Sequence, residues 1–425
     1  MKILFINTSE TAGGAAIAAR RLIHALSRQG VSARMMVRDA EESPTGKPAG
    51  TLSGVETVGG RFKRLPFLWE RFRIWIANGF SRRGLWRVDI ANAGLPITNS
   101  QAFREADVIH LHWVNQGMLS LAELGRILQS GKRVVWTMHD MWPCTAICHH
   151  AGTCDRYHSH CHDCPQLVRP SRKDLSSRVF SQKIKTYGLG HITFVCCSEW
   201  LSDQARKSAL LTGHDVVTIP NTYDATCFRP MSRTEARQEL GLPQDKALIL
   251  FASYKVTNPQ KGLDYLMRAF RYLTDLNIGL IIVGQMAEAA SDSPVADRID
   301  TLPFKRYPMG YVSDEARMAR IYQAADLFVT PSLEENLPNT IMEAMACGTP
   351  CVGFRVGGIP EMIDHQHNGY VAAYKNEQDL ATGIRWTLTH REEAGARAAE
   401  KAAATWNEAV VARQYKALYE GGQML

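Results

Sequence analysis

Short apolar runs bounded by glycine, proline and asparagine recur along the chain, separated by longer stretches in which apolar residues return every three or four positions. The short runs have the length of strands buried on both faces, and the long stretches have the period of helices packed on one side. KILFIN (2–7) opens the series, runs into a turn containing Gly13 and Gly14, and leads to a helix over about 15–29 that Gly30 stops. DVIHLHW (107–113), RVVWTM (133–138), ITFVCC (192–197) and 216–219 predict further strands, with helices over about 119–129 and from Ser198 to about 209. A second series begins at ALILFA (247–252) and continues through strands at 278–283, 307–309, 327–330 and 350–354, with a helix at 263–273. Helices at 377–390, 392–404 and 407–420 close the chain. Regular strand–helix alternation predicts an α/β fold of two doubly wound Rossmann-like domains. A length of 425 residues suits two cores, one over 1–221 and one over 222–405, with a terminal helix in 406–425. The polar, glycine- and proline-rich stretch 39–60 reads as a surface loop, and 222–230 as the linker.

Composition changes this picture little. Apolar content of 45% and charged content of 21% are those of an ordinary globular protein. A net charge of +7 fits an anionic substrate or an anionic membrane surface and does not by itself indicate nucleic acid. The N-terminal apolar run is too short for a signal peptide, and no run reaches the length of a transmembrane helix. The expected location is the cytoplasm, where cysteines stay thiols or bind metal. Two stretches stand apart. Residues 61–87 (RFKRLPFLWERFRIWIANGFSRRGLWR) interleave aromatic and aliphatic residues with arginine. Such a segment can lie on an anionic bilayer at the inner membrane face, or pack as an inserted helix with its arginines solvated. Nucleic acid would need a basic groove with stacking aromatics, and only this segment comes near, so no nucleic-acid partner is expected. Half of the ten cysteines fall in 144–164, CTAICHHAGTCDRYHSHCHDC. Within it Cys148, Cys154, Cys161 and Cys164 follow the spacing C-x5-C-x6-C-x2-C, which suits a structural zinc site with four thiolates; free thiols or disulfides are the alternative.

The chemistry concentrates in 330–350, TPSLEENLPNTIMEAMACGTP. A buried strand enters a turn with two acids, and Pro338 then sits near the first position of a helix. Backbone N–H groups around Asn336, Leu337 and 338–340 gather at the positive end of that helix, where a phosphate binds well. Glu335 lies just before the helix start and Glu343 one turn inside. Lys261 precedes the helix at 263–273, so its ammonium and a second helix start can share a phosphate. In the first series the polar residues come at carboxyl strand ends: His110 and His112, then His139 and Asp140. His110 alternates with His112 and reads as a core residue. Gly13 and Gly14 serve either a tight turn alone or close approach of a ligand to the backbone.

Glu335-x7-Glu343 followed by AMACGTP, together with DVIHLHW and TMHD, resembles the signature of glycosyltransferase family 4. The resemblance covers nearly the whole chain and is densest over 261–361. It implies the GT-B fold, two Rossmann-like domains facing a cleft, with the terminal helix returning to the first domain. It further implies a retaining transfer of sugar from a nucleoside-diphosphate sugar to an acceptor hydroxyl, with no catalytic cofactor. On this reading Lys261 is the second member of a basic pair that grips the diphosphate, and Lys255 is the nearest candidate for the first, usually an arginine. Glu343 receives the ribose hydroxyls, and Glu335 and His139 orient the transferred sugar. His112 lines the cleft on the acceptor side, the Gly13–Gly14 turn faces it, and Val312 with its neighbours meets the base. The string HDMWPCTAICHH…CHDC resembles a four-cysteine insertion found in a subset of the family, in keeping with zinc. The implied acceptor is a glycan or a lipid-linked glycan of cell-surface polysaccharide biosynthesis. Two other readings stay open: a nucleotide-sugar epimerase of the same fold, and a zinc-bearing binding protein with a dead site.

Overall fold

A computed structural model of the chain describes residues 1–40, 54–285 and 304–421. Part of the expected surface loop, 41–53, lies outside them. Two compact units are present: Met1–Asn221 together with Val411–Leu425, and Thr222–Val410.

The first unit is built on a parallel seven-stranded sheet of order β3-β2-β1-β4-β5-β6-β7. Its strands are β1 (Lys2–Ser9), β2 (Ser32–Asp39), β3 (Val55–Thr57), β4 (Val108–Leu111), β5 (Arg133–Met138), β6 (Ile192–Cys196) and β7 (Asp215–Thr218). Alternation along the strands feeds two cores. Leu4, Ile6, Met36, Ile109, Val134 and Trp136 pack on one face. Ile3, Phe5, Met35, Val37, Val108 and Val135 pack on the other. A sheet covered on both faces has no solvated side, which is why its strands read as unbroken apolar runs. β2 and β3 carry no such run. SARMMVRD is apolar only at its centre, and β3 is three residues set inside the expected loop.

The helix Glu408–Glu420 closes the second of these cores with Val411, Ala412, Tyr415 and Tyr419. Its two tyrosines also complete a buried polar chain. Tyr415 Oη bonds Thr137 Oγ1 at 2.9 Å, Thr137 Oγ1 bonds His110 Nε2 at 2.7 Å, and Tyr419 Oη bonds His110 Nδ1 at 2.7 Å. His110 is fully buried, so every ring nitrogen must find a partner inside the protein.

The second unit carries a parallel six-stranded sheet of order β10-β9-β8-β11-β12-β13. Its strands are β8 (Ala247–Lys255), β9 (Ile278–Gln285), β10 (Lys305–Gly310), β11 (Leu327–Thr330), β12 (Cys351–Phe354) and β13 (Gly369–Ala372). Ile249, Phe251, Leu280, Leu327, Val352 and Tyr370 form one face, covered by the helices Leu263–Ala269 and Glu377–Thr389. The first of these is shorter than the expected 263–273 and ends in a 3-10 turn at Phe270–Tyr272. Both units are therefore doubly wound α/β, the expected fold class. No helix among the described residues is long and apolar enough to cross a membrane.

Removing the Tyr419 hydroxyl tests the polar chain. Tyr419→Phe leaves His110 Nδ1 buried without its partner and is expected to cost about 1–3 kcal/mol, read as a lower urea midpoint for the first unit. An unchanged midpoint would show that the C-terminal helix is held by its apolar face alone.

Candidate functional site

In the first unit the polar groups gather where β1, β4, β5 and β6 end. Asn7 Oδ1 accepts from the Trp113 amide at 2.9 Å, and Thr8 Oγ1 donates to the Trp113 and Asn115 carbonyls at 2.9 Å each, which locks the segment after β4 to the end of β1. That lock presents His112 to His139: Nδ1 of the first lies 2.9 Å from Nε2 of the second, with the rings stacked. Burial lowers the pKa of His139 to about 4. Burial, then His110 and His139, holds His112 well below its usual value. Two neutral imidazoles thus share one proton, one donating and the other accepting. The other nitrogen of His112, Nε2, is buried with no partner. His139 Nδ1 lies 3.8 Å from Cys197 Sγ, which donates to Met138 O and Asn221 Oδ1.

Asp140 is held from three sides. It accepts from Trp113 Nε1 at 2.9 Å and the Trp142 amide at 2.8 Å, and pairs with His149 Nδ1 at 2.7 Å. Burial opposes its ionisation, but His149 and the Trp142 amide outweigh that and bring it down to about 2. His149 also pairs through Nε2 with Asp89 at 2.6 Å. Burial works against its charge, yet the two carboxylates hold its pKa up at about 10. Nothing in the sequence pattern marked either His149 or Asp89 as part of the site. The two lie 60 residues apart, and no local pattern joins them.

Gly13 stands at φ +91° as the N-cap of the helix Gly14–Arg28, and the space a Cβ would occupy is open. The positive φ alone explains glycine there.

Among the described residues the structure does not support the expected zinc site. Cys148, Cys154, Cys161 and Cys164 do line one small cavity with Tyr157. Yet among the described residues no group of three or more cysteine, histidine or acidic side chains stands where it could hold a metal ion. Burial pushes the Cys148 and Cys161 thiols up to about 12 and Cys164 up to about 11. The insertion is ordered by hydrogen bonds. Lys183 Nζ donates to Trp142 O at 2.6 Å and Thr145 O at 2.9 Å and sits 3.3 Å from the centre of the Trp142 ring. The Cys164 amide donates to Asp174 at 2.8 Å.

In the second unit the structure brings Lys261 and Glu335 together as an ion pair, Nζ to Oε1. Two glycines make that meeting possible. Gly262 has φ +70°, and a Cβ on it would lie 1.8 Å from Pro331 O, so the turn Pro259–Lys261 presses flat against the end of β11. The Leu333 amide donating to Gln260 O at 2.8 Å fixes the register. On the other side Gly357, at φ +55°, leaves no room for a Cβ against Glu335 O, and the Gly358 amide donates to Asn336 O at 2.8 Å. Glu335 and Asn336 are thereby clamped between two loops.

The helix Asn339–Ala346 begins one residue later than expected, with Pro338 as its N-cap at ψ 117°. Asn336, Leu337 and Glu343 are all buried. Glu343 Oε2 accepts from Tyr322 Oη at 3.0 Å, a partner that no local pattern indicates. Lys255 lies exposed at the end of β8, its carbonyl accepting from Ser253 Oγ at 2.9 Å. Val312 is half-buried just after β10.

Two parallel-sheet Rossmann-like units in one chain, with polar groups at carboxyl strand ends, define an α/β protein of the GT-B fold. The chain belongs to glycosyltransferase family 4, whose model matches residues 12–226. A second model, for glycosyl transferases group 1, matches 246–390. Among curated relatives, D-inositol 3-phosphate glycosyltransferase of Mycobacteroides abscessus is 31% identical over 192 residues, 43% of this chain and 41% of the relative. N-acetyl-alpha-D-glucosaminyl L-malate synthase of Bacillus anthracis is 26% identical over 48% of this chain and 53% of the relative. The chain thus spans about half the length of the curated relatives it matches. Among solved structures, sucrose-phosphate synthase of Thermosynechococcus elongatus aligns with a TM-score of 0.69 at 19% identity, covering 99% of this chain and 98% of the other. Anabaena HepE in complex with UDP aligns with a TM-score of 0.66 at 18% identity, covering 99% and 100%. Both likenesses show the fold.

Two predictions follow from the local geometry. Gly262→Ala should destabilise the second unit well beyond Gly241→Ala. Both sites have positive φ, but a Cβ at Gly241 meets open space, so that control registers only the roughly 1–3 kcal/mol backbone term. Equal urea midpoints for the two variants would deny the Pro331 contact. For His139, the folded pKa of about 4 lies below the ordinary 6.5. Between those values the unfolded chain carries a proton that the folded chain lacks, so stability falls as pH drops from 6.5 to 4 and this group contributes no slope above. His139→Asn should flatten that limb by up to about 1.4 kcal/mol per pH unit, measured by denaturation at stepped pH.

Proposed function

We propose that the protein is a retaining glycosyltransferase that moves a sugar from a nucleoside-diphosphate sugar to an acceptor hydroxyl on a glycan or lipid-linked glycan, in cell-surface polysaccharide biosynthesis. The observation that carries this reading is the Lys261–Glu335 pair, fixed by Gly262 and Gly357 just ahead of the helix Asn339–Ala346. Breaking the anomeric bond leaves negative charge on the departing diphosphate. A pre-positioned ammonium and the backbone N–H groups of a helix start stabilise that charge without reorganising, so no catalytic metal is invoked. The diphosphate competes with Glu335 for Lys261, and Glu335 released from the ion pair turns to the hydroxyls of the transferred sugar. An ion pair that is partly solvated has modest strength of its own, so the exchange costs little.

Glu343 takes the ribose hydroxyls, with Tyr322 fixing its carboxylate. Lys255 adds charge at the diphosphate, and the backbone at Val312 meets the base. Asn336 and Leu337 line the phosphate side. We assign the 222–405 part as the donor-binding domain and 1–221 as the acceptor side. There the neutral pair His112–His139 offers a ligand one hydrogen bond, and the Gly13–Gly14 turn allows close backbone approach. The bound ligands named for HepE, UDP and also UDP-glucose, make UDP-sugars the first donors to try.

A thermal-shift screen of UDP, GDP and ADP sugars tests the donor. One class should raise the midpoint, since a ligand at a hundred times its Kd stabilises by about 2.7 kcal/mol, and Lys261→Ala should abolish most of that rise. Transfer by Lys261→Ala should fall roughly 10²–10³-fold. No shift with any nucleoside diphosphate would end the proposal, and free altered sugar formed without acceptor would favour an epimerase.

A further inference from the structure

The donor reading leaves 61–87 without a role. Residues Leu65–Ala77 form a helix that begins with Pro66 in its first turn. Its inner side carries Glu70, Arg71 and Ile74, all buried. Its outer side is an apolar surface turned to solvent: Leu65, Leu68, Trp69, Phe72 and Ile76 are each between 42% and 57% exposed. The segments flanking the helix add Phe62 at 67%, Phe80 at 65% and Trp86 at 63%. Phe80 holds φ +61°, a conformation that costs a non-glycine residue about 1 kcal/mol or more. A strained backbone here displays an apolar ring to water.

Charge decides what covers this face. Residues 61–87 contain eight arginines and lysines against one acid, Glu70, which is buried. Their formal charge of +7 equals that of the entire chain, so the remainder is neutral by the same count. Arg61, Arg64, Arg73, Arg82, Arg83 and Arg87 are all exposed. A second copy of the chain would bring the same charge to the same face and repel it. Aromatic and aliphatic side chains ringed by cations match an anionic lipid surface, with the apolar groups entering the acyl boundary and the guanidinium groups reaching the headgroups.

We infer that the helix Leu65–Ala77 and its flanks dock this protein on an anionic bilayer. The inner side of the helix gives docking a consequence. Glu70 Oε1 accepts from the Ile90 and Ala91 amides at 2.8 and 2.7 Å. Arg71 pairs with Asp89, Asp89 with His149, and His149 with Asp140, the neighbour of His139. The height of the histidine turn above the lipid is therefore set by a continuous chain of buried contacts. Docking stands whether or not a UDP-sugar is the donor, because its test reads lipid and not nucleotide.

Co-sedimentation of the full chain with vesicles of phosphatidylcholine, alone or with phosphatidylglycerol, tests it. The protein should pellet with the anionic vesicles at low salt and be released as salt rises. Trp69→Glu with Phe72→Glu should weaken binding at least tenfold, and each of Arg64→Glu and Arg73→Glu about fivefold, with thermal midpoints unchanged because all four side chains are exposed. Equal pelleting of the Trp69/Phe72 variant overturns the proposal. So does failure of the unaltered chain to pellet, or a dimer in sedimentation velocity that the same double substitution dissolves.

Discussion

A parallel sheet covered on both faces has nowhere to put a polar side chain except at the ends of its strands, and this constraint governs both units. The middle of β1, β4 and β5 is otherwise apolar on each side, and the buried polar residues within β4 and β5, His110 and Thr137, are bonded to each other and to Tyr419 and Tyr415. Everything with chemistry in it is pushed to the carboxyl ends: Asn7 and Thr8, His112 and Trp113, His139 and Asp140, Cys197. There the backbone leaves the ladder and frees groups that must be partnered again. The Trp113 amide meets Asn7 and the Trp113 carbonyl meets Thr8, so partnering the backbone is also what aims the histidines.

The second unit solves the same problem with glycine. Lys261 and Glu335 lie 74 residues apart and meet because two glycines let their loops approach the segment after β11 more closely than any side chain allows. At Gly262 and at Gly357 a Cβ would fall within 2 Å of a carbonyl oxygen. The ion pair is partly solvated and contributes little to stability. Its value is positional. On the proposed donor reading, an ammonium already held in place avoids the entropy of being ordered when an anion arrives.

Runs of buried apolar residues gave the strands of both sheets wherever they were unbroken, and the two-unit α/β class with them. β2, β3 and β13 escaped because β2 has only three apolar residues flanked by arginines, β3 has Val55 alone, and β13 is only four residues long. The charged contacts of the site divide along the same line. Lys261, Glu335, Glu343, His112 and His139 were singled out because local pattern marks them: a helix start or a strand end. Their partners were not, since Tyr322, Asp89 and Cys197 come from elsewhere in the chain and look like ordinary core or loop residues. The cysteine cluster differs for a related reason. C-x2-C spacing specifies which thiols can be near each other, but not whether three or more of them will stand where a metal ion could be held. Here Lys183 and Asp174 bind the insertion through its backbone, and the thiols are left to line a cavity.

The buried run Glu70–Arg71–Asp89–His149–Asp140 has a physical cost that an apolar core would not incur. Removing several charges from water costs several kcal/mol per ion, and mutual attraction returns that only when the geometry is good. The balance is visible in the groups themselves. Burial, with Asp89 adding to it, pushes Glu70 up to about 7, while His149, gripped by two carboxylates, is held at about 10 despite its burial. One end of the run is strained toward neutrality and the other is firmly charged. Stability alone would favour aliphatic residues at these positions. What ionic pairing supplies and aliphatic packing does not is direction, because each carboxylate admits its partner along fixed lines and a slip of one residue leaves a charge unpaired. The run begins on the helix whose outer face is apolar and ends on the turn that carries His139. The expensive contacts thus lie where they fix the relative position of a surface helix and the turn that carries His139.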